Sequence, residues 1–160
     1  MKIIYFHQYF STNKGSNGTR SFEFAKKLIQ NGHEVTVVCL NTDRSSYGKL
    51  NKKNKHNITE VEGIKVVEFN IKYSNNMSFL KRGIQFADYA YKSIRYCLGK
   101  NYDLVFCTST PLTAGIPGVF FKLSKGTPFI FEVRDLWPEL PRAMGIIKNN
   151  LLFNILKLLE

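Results

Sequence analysis

Between residues 3 and 40 the chain lays down an apolar run, a polar stretch with glycines, an amphipathic segment and a second apolar run, an order that leaves few folds open. Ile3 to Phe6 has the length and continuous apolar character of a buried strand. Ser11 to Gly18 is polar and contains Gly15 and Gly18. Phe22, Ala25, Leu28 and Ile29 then recur at helical spacing, and Gly32 stands where a left-handed C-terminal cap is expected. Glu34 to Leu40 reads as a second strand. Strand, loop, helix and strand form a βαβ unit, whose crossover is right-handed. The helix start then faces the crevice at the carboxyl ends of the strands.

The rest of the chain continues the alternation. Asn41 to Asn57 is polar and basic, a surface loop by composition. Ile58 to Val61 and Ile64 to Phe69 flank Glu62-Gly63 as a short strand pair that adds to the sheet. From Met77 to Leu98, the residues Leu80, Ile84, Ala87, Tyr91, Ile94 and Leu98 step by four and three, which predicts a long helix with these on its apolar face. Lys81, Arg82, Tyr89, Lys92, Arg95 and Tyr96 fall on its other faces. Asp103 to Thr108 reads as a strand, and Pro111 to Leu123 as a helix that Pro117 kinks or divides. Pro128 to Val133 is a further strand, and Asn150 to Leu159 a helix so apolar all round that burial is expected, on this domain and a partner or on a continuation of the chain. The expected fold class is α/β: a Rossmann-like, doubly wound, mainly parallel sheet with helices on both faces, one domain over residues 1–160.

Composition narrows the partners. Lys plus Arg number 23 against 12 acidic residues, a net charge of +11, so the chain is drawn to anions: nucleotide phosphates, nucleic acid or an acidic membrane surface. No motif of the common nucleic-acid-binding modules occurs, which argues against nucleic acid. No stretch reaches the roughly 18 apolar residues of a membrane span. Cys39, Cys97 and Cys107 form no C-x-x-C pair, as expected of a reducing compartment. The expected location is cytoplasmic, peripheral at an inner membrane.

Several residues carry candidate chemistry. In Glu132-Val133-Arg134-Asp135-Leu136-Trp137-Pro138-Glu139, Arg134 and Asp135 follow a strand and so stand where an open parallel sheet binds ligands. They form either a structural ion pair or a site, with Asp135 accepting a substrate hydroxyl and Arg134 gripping a phosphate. Glu132, inside the strand, is expected to satisfy a buried polar network or to orient its neighbours. Gly15 and Gly18 allow close approach of a phosphate to the next helix, although G-S-N-G-T-R matches neither G-x-G-x-x-G nor a Walker loop and its spacing favours a simple turn. That mismatch also disfavours a nicotinamide-dependent enzyme. Arg20 in the first helical turn opposes the dipole unless it meets a ligand or a carboxylate. His7 is either a core histidine or a crevice group. His33 and His56 lack metal-ligand spacing, so no metal is expected, and no G-x-S-x-G elbow occurs. Lys81, Arg82, Lys92 and Arg95 present a basic helix surface that fits an anionic membrane or is simply solvated.

Five segments together resemble the N-terminal domain of family 4 retaining glycosyltransferases: Lys2 to Phe10, Gly18 to Ala25, Asn31 to Val38, Thr108 to Thr113, and Glu132 to Glu139. The last is similar to the bacterial branch that adds amino-deoxy sugars such as fucosamine in O-antigen and capsule synthesis. The resemblance implies a GT-B architecture of two Rossmann-like halves, of which this chain is the acceptor-binding half, with a nucleotide-sugar co-substrate and no metal or other cofactor. It implies a lipid-diphosphate-linked or saccharide acceptor, bound by His7, Thr19, Arg20, Arg134 and Glu139, and a donor diphosphate approached by Gly15 and Gly18. Asp135 occupies the place where many relatives carry a histidine near the reacting sugar. The nucleotide-binding half of such relatives has no counterpart in these residues, so the chain alone is expected to be inactive. The competing expectation is a non-enzymatic basic α/β module that docks on a membrane or a partner.

Overall fold

The computed structural model describes residues 1–15, 18–41, 56–71, 77–109 and 111–159. Among them, six strands form one sheet in the order β3-β4-β2-β1-β5-β6. The strands are β1 (Lys2–Phe6), β2 (Glu34–Leu40), β3 (His56–Val61), β4 (Ile64–Phe69), β5 (Leu104–Thr108) and β6 (Phe129–Glu132). All neighbours are parallel except β3, which pairs antiparallel with β4 through the turn at Glu62 and Gly63. The chain winds outward from β1 to β2 and β4 on one side, then returns to place β5 and β6 on the other. The order therefore reverses between β1 and β5, and a crevice opens there beyond the carboxyl ends of the strands.

Helix α1 (Arg20–Gln30) covers one face. Its Phe22 and Ala25 pack on Ile3, Tyr5, Val35, Val37, Ile64 and Val66. It ends as its sequence predicts: Gly32 has φ 79°, and the N–H groups of Gly32 and His33 donate to the carbonyls of Ile29 and Leu28, a Schellman closure. The other face carries α2 (Phe79–Cys97), a 3₁₀ turn (Leu112–Gly115) and α3 (Ile116–Lys125). Tyr89, Cys97, Ala114 and Phe121 pack there on Ile4, Phe6, Val38, Val67, Val105 and Cys107. Gly118 lets α3 approach β6, because a Cβ at that position would overlap the ring of Phe129. Two shorter helices follow, α4 (Glu139–Ala143) and α5 (Asn150–Leu159).

The doubly wound, mainly parallel α/β expectation holds, and the differences from the sequence reading have physical causes. Pro117 lies in the first turn of α3, where its missing N–H costs nothing, so it starts a helix after the 3₁₀ turn rather than kinking one long helix. The expected apolar face of α2 points outward: Leu80, Ile84, Tyr91 and Leu98 are exposed, while Tyr89, Ala90, Ser93 and Cys97 are buried. Tyr89, expected on an outer face, donates its hydroxyl to the Val38 carbonyl at 2.7 Å, and the small residues beside it let the helix settle on the sheet. Helix α5 is not buried all round: Leu151, Ile155 and Leu158 are exposed and Leu152, Phe153 and Leu156 half-buried. The guanidinium of Arg142 on α4 lies over the Phe153 ring and donates to the Asn150 side chain, which fastens the start of α5. The short α4 was not foreseen. Most of the expected basic loop, residues 42–55, lies outside the described residues, as do positions 16 and 17 of the glycine stretch.

Candidate functional site

Strand β1 ends in a reversal of polarity. After the buried Phe6 come His7 and Gln8, both buried, then Phe10, Ser11 and Thr12, also buried. Polar side chains reach the interior here because the strand has ended while its backbone stays tied to the end of β2, with the His7 N–H on the Val38 carbonyl and the Leu40 N–H on the Gln8 carbonyl. His7 stacks on Tyr5 and meets Phe10 edge-on. Its Nδ1 has no hydrogen-bond partner among the described residues, and the same holds for both amide atoms of Gln8. Burial, reinforced by the nearby positive charge of Arg134, lowers the His7 pKa to about 3, so the ring is neutral at physiological pH.

Next to β1, the ends of β5 and β6 form one polar assembly. Thr108 and Glu132 are partners in register. The Thr108 hydroxyl donates to Glu132 Oε2 at 2.7 Å, and Arg20 of α1 forms an ion pair with Glu132 Oε1. Glu132 thus performs the orienting role expected of it, and Arg20 finds its carboxylate in Glu132. A guanidinium offers five N–H donors, and the Arg20 side chain is 69% exposed, so the rest of its fork faces the crevice. Below the pair, the Tyr5 hydroxyl donates to Ser21 Oγ at 2.9 Å, and burial pushes the Tyr5 pKa up to about 12. Tyr5, Arg20, Phe24, Phe106 and Glu132 line a cavity of about 290 Å³.

The turn after β6 is set by Ser109. Its Oγ accepts from the backbone N–H of Arg134 at 2.6 Å and from that of Asp135 at 3.4 Å, while the Ser109 N–H donates to the Glu132 carbonyl. No ion pair within 4 Å joins Arg134 to Asp135, and Arg134 has no carboxylate partner among the described residues. The Arg134 side chain is exposed and Asp135 is half-buried.

The expected site residues therefore fall into two groups. His7, Arg20, Arg134 and Asp135 converge at the carboxyl ends of β1, β5 and β6, on either side of the switch point. Thr19 stands at the N-cap of α1 but makes no side-chain capping bond, so the first N–H groups of that helix receive no acceptor from it. Gly15 is half-buried; Gly18 is exposed, and a Cβ added there would meet no described atom. Glu139 is exposed in the first turn of α4. Lys81, Arg82, Lys92 and Arg95 lie elsewhere, on α2 across the opposite face. Lys81 and Arg95 are exposed, Arg82 is half-buried, and Lys92 pairs with Asp88 at 2.7 Å. Thr108 and Ser109, which hold the site together, belong to a segment that carries the family resemblance, but the sequence reading gives them no role of their own. Their signal was a hydroxyl pair at the end of an apolar strand. Among the described residues no cluster of three His, Cys, Asp or Glu side chains could hold a metal ion.

Fold comparison alone does not choose a chemistry. The catalytic domain of starch synthase IV from Arabidopsis thaliana is similar at TM-score 0.63 and 15% identity, over 84% of this chain and 34% of that one. Sucrose-phosphate synthase from Thermosynechococcus elongatus is similar at TM-score 0.61 and 10% identity, over 93% and 36%. A C-terminal hydrogenase domain from Pyrococcus furiosus is similar at TM-score 0.57 and 15% identity, over 82% and 90%. At such identities these matches establish the fold, and the chain spans about a third of the length of the two synthase chains. No curated protein sequence matches. The sequence family decides more: the model of Glycosyltransferase Family 4 matches residues 18–159, which begins at the loop before α1 and takes in the polar assembly of β5 and β6, so the chain belongs to that family.

Proposed function

We propose that this chain is the acceptor-binding half of a retaining glycosyltransferase of GT-B architecture, in which a second Rossmann-like half brings the nucleotide-sugar donor. The acceptor is a lipid-diphosphate-linked sugar, used in bacterial surface polysaccharide synthesis on the cytoplasmic side of the membrane. The observation that carries this reading is that Arg20, at the amino end of α1, pairs with Glu132 at the end of β6, and the turn bearing Arg134 and Asp135 opens from that same strand end. A diphosphate needs charge-assisted donors, and a sugar hydroxyl needs an acceptor beside them.

In this reading Arg134 and the free N–H groups of Arg20 hold the acceptor diphosphate. As the donor's glycosidic bond breaks, negative charge grows on its leaving diphosphate. The backbone at Gly15 and at Gly18 and the α1 dipole stabilise that charge without resident metal or cofactor. Asp135 accepts the hydrogen bond of the attacking hydroxyl, and Ser109 fixes its angle. Thr19 and Glu139 border the acceptor, and neutral His7 supplies the floor.

Calorimetric titration of the chain with a short-chain polyprenyl-diphosphate-linked sugar tests this reading. Arg134→Ala is expected to weaken binding roughly ten-fold, the loss of one charge-assisted contact. Unchanged affinity in the Arg20→Ala/Arg134→Ala double variant would remove the acceptor from this crevice. With a donor-binding half present, Asp135→Ala is expected to lower kcat by about 10² or more with its melting temperature retained.

A further inference from the structure

Helix α2 has one side that the core does not use. Tyr89, Ala90, Ser93 and Cys97 face the sheet and are buried. Around the other side stand Leu80, Ile84, Tyr91 and Leu98, exposed by 75%, 58%, 60% and 54%, with Ala87 between them. At 100° per residue these five positions share one narrow stripe, about 27 Å long at 1.5 Å per residue. Lys81, Arg95 and the Lys92–Asp88 pair run along one border of it. Single exposed leucines are ordinary on a protein surface, whereas an unbroken apolar row with a cationic margin marks an interaction face. Neighbouring α3 covers the same face of the sheet and adds exposed Val119, Leu123 and Lys122.

We propose that this outer face of α2 lies on an anionic lipid surface, with the stripe entering the headgroup region and Lys81 and Arg95 meeting lipid phosphates. Charge selects this occupant. The helix has four basic residues and one acid, Asp88, which is already paired, in a chain of net charge +11. A second copy docked on the same face would bring like charges together, while an acidic bilayer is attracted. Among the described residues no helix is long and apolar enough to cross a membrane, so α2 lies along the surface. Since α2 starts after the carboxyl end of β4 and runs back beside the strands, its Leu80 end is on the crevice side. The proposal stands on α2 alone and does not depend on the transfer chemistry.

Sedimentation with vesicles of phosphatidylcholine containing about one-third phosphatidylglycerol is the test, without donor or acceptor. The chain is expected to co-sediment with these vesicles and much less with phosphatidylcholine alone. Lys81→Gln/Arg95→Gln should lower capture at least ten-fold, from about five-fold per cation. Leu80→Ser/Ile84→Ser/Tyr91→Ser should lower it by about as much, and Ala87→Leu, which fills the stripe, should raise it about two-fold or more. The proposal is overturned by a parent chain that ignores anionic vesicles, or by a folded triple serine variant captured as well as the parent. A parent dimer that the serine variant dissociates, with no vesicle capture, equally overturns it and makes the face a self-association surface. Should the triple variant not fold, Ala87→Leu decides: raised capture supports insertion and unchanged capture rejects it.

Discussion

Helices α1 and α2 cover opposite faces of one sheet by different means. Helix α1 turns Phe22, Ala25, Leu28 and Ile29 inward, with Phe22 fully buried on a bed of Ile and Val, and anchors its amino end through the Arg20–Glu132 pair. Helix α2 is held by Tyr89 with its polar handle, flanked by the small residues Ala90, Ser93 and Cys97 and supported by half-buried Tyr96, and leaves Leu80 and Ile84 outside. The first arrangement ties a helix to the crevice. The second attaches a helix closely while keeping another surface available.

Substitutions can break this contrast. The largest effect is expected at Phe22→Ala, about 3–5 kcal/mol by urea denaturation, because a buried ring leaves a cavity; a loss below about 1 kcal/mol would mean that α1 is not held by this contact. Next comes the histidine on the α1 side. The folded pKa of His7, about 3, lies below its ordinary 6.5, so below that value the unfolded chain takes up a proton that the folded chain refuses. Stability is therefore complete above pH 6.5 and falls as pH drops toward 3, by up to about 1.4 kcal/mol per pH unit. Denaturation at stepped pH should show this slope, and His7→Gln should flatten it; an equal slope in the variant assigns the acid sensitivity elsewhere. On the α2 side, Tyr89→Phe should cost only about 0.5–1.5 kcal/mol, because the Val38 carbonyl keeps the His7 N–H as donor. Smallest of all, Ile84→Ala should change stability by no more than about 0.5 kcal/mol. A cost of about 2 kcal/mol or more would show that the outer stripe is packed after all.

This contrast also separates what was legible in the sequence from what was not. Periodicity located both helices, but it finds a direction only when one face is apolar. In α1, Phe22, Ala25, Leu28 and Ile29 had no competitor. In α2, the aliphatic row at Leu80, Ile84 and Leu98 outweighs a face of tyrosine, alanine, serine and cysteine by hydropathy, yet small residues and one aimed hydroxyl fit a sheet better than branched chains. Helix α5 misled differently, since apolar content signals a need for cover without placing the cover. At the crevice, strand ends were readable from the apolar runs, so His7, Arg20, Arg134 and Asp135 could be placed. The link through Thr108 and Glu132 was not, because it depends on the register of β5 against β6, which no local pattern encodes.

Ser109 carries a consequence of its own. One oxygen atom just past the end of β5 accepts both amides that open the turn after β6. The aim of Arg134 and Asp135 is thereby governed from a neighbouring strand, by a residue with no charge of its own. Tilting that hinge pin would swing a cation and a carboxylate together, so selection could retune where the crevice grips its guest while leaving every gripping group unaltered.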